Sequence, residues 1–245
     1  MPPIPSMVEP SAITTIAFVI IVAAVGGMLL YGTHVAGQGV GEAPSVTRRW
    51  VLQTSIALVV WLAVTGVISA SGVLESSGLP PRAMLFMGAC NLLVAVFALS
   101  PAGRRLAHGL PIAALVGFQA FRFPLELILH QWYVEGVLPV QMTYVGRNLD
   151  IITGIAGLAA GLWLWRKGPS RPLVWAFNLL GLGLLLNVAS IAILSSPVPF
   201  RMYTEGPAVL LVFHFPYGWI LPMCVAPALA GHILVFRWLW HTRRR

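Results

Sequence analysis

Three residues that could do chemistry recur at every fourth position of one apolar segment. The segment QAFRFPLELILHQWYVE contains Arg122, Glu126 and His130. In an α-helix this spacing places all three on one side of the helix, together with Gln119 and Tyr133. Carboxyl and imidazole groups are common general acids and bases, and an arginine can hold an anionic head group. The segment therefore predicts a helix whose polar face borders a site.

The composition around this segment is that of an integral membrane protein. The chain has 245 residues, of which 58% are hydrophobic and only 9% are charged, whereas soluble domains average about 25% charged residues. The net charge of +8 does not indicate nucleic-acid binding. The basic residues lie in short clusters between apolar runs, as they do in membrane loops.

Seven apolar runs are long enough to cross a bilayer, which requires about 20 residues in a helix. They occupy roughly residues 12–32, 51–72, 83–100, 110–133, 149–165, 172–195 and 207–238. Continuous runs favour helices, because a helix satisfies its own backbone hydrogen bonds in lipid. We expect one all-α domain over residues 1–245, a bundle of seven transmembrane helices in the cell membrane.

The distribution of basic residues predicts the orientation of this bundle. Eleven lie on one side, after the first, third and fifth runs and at the C-terminal end: Arg48, Arg49, Arg104, Arg105, Arg166, Lys167, Arg171, Arg237, Arg243, Arg244 and Arg245. The opposite side has three, which are Arg82, Arg147 and Arg201. Positive residues favour the cytoplasm, so the N-terminus is expected outside and the C-terminus inside.

A charge near the middle of a bilayer costs about 2.5–3.5 kcal/mol, so the polar face of the fourth run must be turned into the bundle. We expect Arg122 to contact Glu126, four residues further along the helix, or another acid. The outer ends of the fifth and seventh runs add Asp150 and His214. These positions predict that Glu126, His130, Asp150 and His214 line one cavity open to the extracytoplasmic side.

Acid–base and metal chemistry are both open to such a cavity. Glu126, His130 and Asp150 are the candidate catalytic groups, and together with His214 they could bind a divalent metal such as zinc. The expected substrate contacts are Arg122, Tyr133, Arg147, Asn148 and Tyr217.

Each of these residues also has a simpler explanation. Arg122 and Glu126 could only lock helices together, and Asp150 could serve as a favourable charge at a helix N-terminus. Asn178 and His232 belong to the expected cytoplasmic half, away from the cavity.

A retinal protein is excluded, because a Schiff base requires a lysine in the last helix and the only lysine is Lys167.

The function predicted from these features is that of a membrane-embedded enzyme acting on a lipid or other amphiphile. A small-solute or proton-coupled transporter is the alternative, and a structural or binding subunit of a membrane complex is the third. Carriers need polar residues along the whole path and often contain an internal repeat. The chain shows no repeat, and its intramembrane charges stop near mid-depth, which favours a one-sided site.

Overall fold

The computed structural model describes residues 6–75 and 79–241, and within these ranges the chain is helical and contains no strand. The α-helices are α1 (Ala12–Gly39), α2 (Pro44–Ala70), α3 (Arg82–Leu99), α4 (Pro101–Gly109), α5 (Ile112–Gly117), α6 (Arg122–Val134), α7 (Ile151–Lys167), α8 (Arg171–Ser195) and α9 (Ala226–His241). The 3₁₀ turn Phe118–Phe121 joins α5 to α6, and the π-helical segment Leu221–Val225 leads into α9.

Six helical segments in the described residues are long and apolar enough to cross a membrane. They are Ala12–Gly39, Pro44–Ala70, Arg82–Leu99, Ile112–Val134, Arg171–Ser195 and Tyr217–His241. Helix α7, which corresponds to the fifth predicted run, has 17 residues and is shorter than these six. The chain is therefore a helical membrane protein with six candidate spans, and the seventh span and the orientation stay predictions.

Two boundaries differ from the sequence prediction, one because of prolines and one because of a serine cap. The last run was expected from residue 207, but a span begins only at Tyr217. Prolines at positions 216, 222 and 227 lack the N–H that an α-helix needs, and the backbone forms 3₁₀ and π turns there. Residues 101–109, expected as a connection, form α4, whose N-terminus is capped by the hydroxyl of Ser100.

Glycines on α7 set the distance between this helix and the α5–α6 segment. A Cβ added at Gly161 would lie 2.9 Å from the Cα of Gly117, and one added at Gly154 would overlap the backbone N of Phe123. Such close approach is the usual role of small residues between membrane helices. It brings the first turn of α7 directly against the start of α6, where Arg122 lies.

The central element of the bundle is α9. In the span Tyr217–His241, 67% of the most apolar window is buried, against 11% in the spans of α2 and α3. Helices α3 and α8 both pack on α9. Side chains of α9 therefore contact the interior faces of several other helices.

Candidate functional site

A buried arginine–aspartate pair lies at the centre of the candidate site. Nε of Arg122 donates to Oδ2 of Asp150 at 2.5 Å, and Nη2 donates to Oδ1. Only 1% of Arg122 and 4% of Asp150 are exposed. The expectation that Arg122 faces the interior is confirmed, but its partner is Asp150 and not Glu126. The close contact of α7 with α6 places the Asp150 carboxylate opposite the guanidinium, where both N–H groups can be used at once.

The remaining side of the guanidinium faces α8 and α9. Nη1 of Arg122 lies 3.3 Å from the carbonyl oxygen of Gly181 and 3.3 Å from Nε2 of His232. Because an arginine can only donate, Nε2 must be the unprotonated nitrogen of the ring. Nδ1 of His232 then carries the hydrogen and donates to Oδ1 of Asn178 at 2.8 Å. His232 is therefore the neutral tautomer with its hydrogen on Nδ1.

This contact joins Asn178 and His232 to the cluster, which the sequence did not predict. Both are fully buried and form one network with Arg122. Nδ2 of Asn178 also donates to the carbonyl oxygen of His232 at 3.2 Å, which holds the two helices in register. The only sequence signal was the presence of two polar side chains within long apolar runs.

Glu126 has an amide partner and not a cation. Nδ2 of Asn148 donates to Oε2 of Glu126 at 2.7 Å and to the carbonyl oxygen of Met142 at 3.1 Å. Oδ1 of Asn148 accepts from the backbone N–H of Asp150 at 3.1 Å. Asn148 thus joins the two acidic residues. Asp150 itself does not cap α7 through its side chain, because its carboxylate is turned towards Arg122.

The cluster contains more acidic than basic groups. One guanidinium, that of Arg122, faces the carboxyl groups of Glu126 and Asp150, and each of these three residues is at most 4% exposed. With both carboxyls ionised, the formal charge would be −1. An uncompensated charge in such surroundings is costly, and a buried site avoids it by binding a proton or another positive group.

A cavity of about 80 Å³ lies against this cluster. Arg122, Glu126 and Asp150 are the charged residues among those that line it. The other walls are mostly apolar and come from α3, α8 and the segment before α9, including Met87, Leu185, Ala189, Ala192, Tyr217 and Cys224. A small polar head beside an apolar wall is the combination expected of a site for an amphiphilic ligand.

Several residues predicted for the site lie elsewhere. The ring of His130 packs on Tyr144, with ring centroids 4.6 Å apart, and on Tyr133 at 5.9 Å. His130 does not line this cavity, and its buried Nδ1 has no hydrogen-bond partner within the described part of the chain. Tyr133 is 38% exposed. Any chemical role of His130 or Tyr133 therefore stays a prediction without support from the cavity.

Of the remaining predicted residues, one is exposed and one lines the cavity. Arg147 is exposed and its guanidinium lies over the ring of Tyr203 at 5.4 Å. Tyr217 does line the cavity, and its hydroxyl forms a 2.7 Å hydrogen bond with Thr15. An anionic head group held by Arg122 and Arg147, as the sequence suggested, would have to displace the carboxylate already bound to Arg122.

The predicted four-residue metal site is not formed. No group of three or more histidine, cysteine, aspartate or glutamate residues within residues 6–75 and 79–241 is arranged to hold a metal ion. Nδ1 of His214 lies 3.8 Å from the Glu75 carboxylate, and both side chains are partly exposed. Asp150 is engaged by Arg122. The set Glu126, His130, Asp150 and His214 is therefore divided among different partners.

Comparison with known proteins places the chain in a family defined by sequence. The sequence model described as Domain of unknown function (DUF8737) matches residues 79–240. No curated protein and no solved structure matches the chain. The matched region includes every residue of the buried cluster, from Arg122 on α6 to His232 on α9. Since it covers more than half of the sequence, the chain belongs to the DUF8737 family.

Proposed function

We propose that this chain is a multi-pass membrane protein whose interior cavity binds the polar end of a lipid or other amphiphile, with Glu126 as the acid–base group. The observation that carries this proposal is the carboxyl of Glu126, which has no cationic hydrogen-bond partner and belongs to a residue lining an otherwise apolar cavity. Arg122 and Asp150 neutralise each other, which leaves Glu126 with a neutral amide partner. A ligand that supplies a proton or a positive charge would neutralise the remaining negative charge of the cluster.

The size of the cavity limits what can enter it. At about 80 Å³ the cavity is far smaller than the pockets of drug-sized ligands, which measure about 300–1,000 Å³, so it has room for only a small polar group. The chain of an amphiphile would remain in the bilayer. Met87 on α3 and Ala189 and Ala192 on α8 line the cavity and are only partly buried, which supports entry from the bilayer between these helices.

We further propose that α7 crosses the membrane, so that the bundle has seven spans with a cytoplasmic C-terminus. At 1.5 Å per residue, its 17 residues extend about 25 Å, which is close to the hydrocarbon thickness of a thin bilayer. With the C-terminus in the cytoplasm of the cell, the cavity would open towards the extracytoplasmic half. The excess of basic residues on one side supports this orientation.

The proposal can be tested with dodecylamine and protein reconstituted in phosphatidylcholine nanodiscs. Dodecylamine should raise the midpoint of thermal unfolding of the wild type. Ala192→Phe, which fills the cavity without changing its charges, should abolish this stabilisation. Leu186→Phe is the matched control, because Leu186 lies on the same helix but is 61% exposed. Equal stabilisation of both variants would refute binding in the cavity.

Proton-coupled transport is a second candidate, because the buried network continues past Arg122 to His232 and Asn178. With these two residues in contact with the cluster, the buried polar side chains extend beyond Arg122. A transporter of this kind should acidify the interior of liposomes under an imposed potential, as measured with an enclosed pH dye. Glu126→Gln should remove the acidification, and wild-type liposomes that show none would eliminate this candidate.

A further inference from the structure

A second and larger depression lies apart from the charged cluster. It has a volume of about 540 Å³ and lies between α1, the α4–α5 junction, α7 and α9. Its lining residues include Tyr31 and Gly32 on α1, Leu110 before α5, and Gly161 and Trp165 on α7. Four of its lining residues are glycines, at positions 32, 117, 161 and 231. None of its lining residues is charged.

Two basic residues follow the groove at the C-terminal end of α7. The lining residues Leu158, Leu162 and Trp165 follow helical spacing, Arg166 continues the side of Leu162 four residues later, and Lys167 ends the helix. Both basic side chains are exposed, and neither makes a hydrogen bond or ion pair within the described part of the chain. The groove is therefore lined by uncharged residues, and two cations follow it at the C-terminal end of α7.

Two aromatic residues indicate where this end lies relative to the bilayer. Tyr31 is 71% exposed and Trp165 is 75% exposed, and both line the groove. Tyrosine and tryptophan with one polar edge prefer the level of the lipid head groups. The basic pair next to Trp165 is then at the same level, where it can reach a phosphate.

We propose that the groove is a binding site for an anionic phospholipid, with one acyl chain along the apolar walls and the head group at Arg166 and Lys167. Basic pockets at the ends of membrane helices recognise anionic head groups in this way. The apolar walls fit an acyl chain, and the unpaired cations select a negative head group over a zwitterionic one. The site does not depend on the ligand proposed for the Glu126 cavity.

The charge part of this proposal can be tested with nanodiscs made from equal amounts of phosphatidylglycerol and phosphatidylcholine. After transfer of the protein to a mild detergent, native mass spectrometry counts the lipids that each variant retains. The wild type should retain phosphatidylglycerol in preference. The double variant Arg166→Gln/Lys167→Gln should lose about 25-fold in that preference, since each cation near an anionic lipid contributes roughly fivefold. The matched control is Arg48→Gln/Arg49→Gln, which removes two adjacent exposed arginines on α2, a helix that contributes no lining residue to the groove.

The groove itself is tested by a pair of glycines on α1. A Cβ at Gly32 would touch only Leu110, at 3.8 Å, so Gly32→Phe can place its ring in the groove without displacing backbone. Gly27 has nothing within 4 Å of an added Cβ and does not line the groove. The Gly32→Phe protein should no longer retain phosphatidylglycerol, whereas the Gly27→Phe protein should retain it as the wild type does.

Three results would overturn the proposal. The first is an unchanged lipid preference in Arg166→Gln/Lys167→Gln. The second is full lipid retention in a folded Gly32→Phe protein. The third is a dimer that Gly32→Phe dissociates, which would assign the groove to a second copy of the chain. If Gly32→Phe does not fold, the comparison of the two charge variants decides by itself.

Discussion

Replacing Arg122 by methionine removes the only cation of the buried cluster while keeping an unbranched stem of similar shape. The change leaves the Asp150 carboxylate without two N–H donors, and it leaves the carbonyl of Gly181 and Nε2 of His232 without their shared donor. Breaking one partner of a buried ion pair costs about 3–5 kcal/mol. We expect Arg122→Met to lower the free energy of unfolding by an amount in this range.

Variants that remove Asp150 should lose less unfolding free energy than Arg122→Met. Asp150→Leu should cost less than Arg122→Met, because Glu126 lies four residues from Arg122 on the same helix and can take over part of the pairing. The double variant Arg122→Met/Asp150→Leu should also cost less than Arg122→Met alone, because it removes both charges. Arg147→Met is the control, since Arg147 is exposed and a surface contact with an aromatic ring contributes only about 0.5–1 kcal/mol.

Unfolding of the reconstituted protein in mixed micelles, followed by tryptophan fluorescence, measures these differences. Two results would contradict the role of Arg122 as the partner of a buried charge. One is a decrease in the free energy of unfolding of Arg122→Met that is no larger than the decrease for Arg147→Met. The other is a double variant as unstable as Arg122→Met, which would mean that lost packing and not an unpaired charge causes the effect.

Three further predictions concern packing, pH and topology. Gly181→Ala should lower the unfolding free energy by about 1–3 kcal/mol, because a Cβ there would lie 2.6 Å from Cε1 of His232, whereas Gly183→Ala meets nothing within 4 Å and should be neutral or stabilising in the same assay. The Arg105 guanidinium holds the pKa of Glu42 below its usual value. This pair therefore stabilises the fold at neutral pH, and the stabilisation is lost as pH falls through the folded pKa of Glu42. Thermal unfolding of Glu42→Gln should depend less on acid pH than that of the wild type, and equal acid sensitivity would contradict the pairing. A reporter fused to the C-terminus should be active only in its cytoplasmic form, and activity restricted to the outside would reverse the proposed orientation.

The buried positions of Arg122 and Glu126 could be predicted from the sequence because lipid leaves a charged residue no alternative. The four-residue spacing fixes a common helix face, and the cost of exposing that face fixes its direction. The choice of partner could not be predicted in the same way. It depends on the contact between Gly154 and Phe123, which sets where Asp150 meets the guanidinium.

The misplacement of His130 follows from helix geometry. Eight residues turn an α-helix by about 800°, which is 80° beyond two full turns. His130 therefore faces different neighbours from Arg122, and it packs on Tyr144. Periodicity identifies a polar side of a helix, but it does not show which residues at the edges of that side share a cavity.

The contact with His232 was missed because depth along a helix depends on where that helix begins. The seventh run was expected from residue 207, yet its span starts at Tyr217. Prolines in this stretch replace regular helix by 3₁₀ and π turns, which changes both the rise and the rotation of the residues that follow. A sequence-based count of 1.5 Å per residue could not locate His232 beside Arg122.

The most direct test of the account is the head-group preference of the cavity and its dependence on Glu126. Binding of dodecylamine and dodecanoate to the reconstituted protein should be measured for the wild type and for Glu126→Gln. A charge-assisted hydrogen bond contributes about 1.5–3 kcal/mol, so the wild type should prefer the amine by roughly 10- to 100-fold. Glu126→Gln should remove most of this preference and remain folded. A wild type that binds both compounds equally, or a preference that survives in Glu126→Gln, would contradict the assignment of Glu126 as the unmatched group of the site.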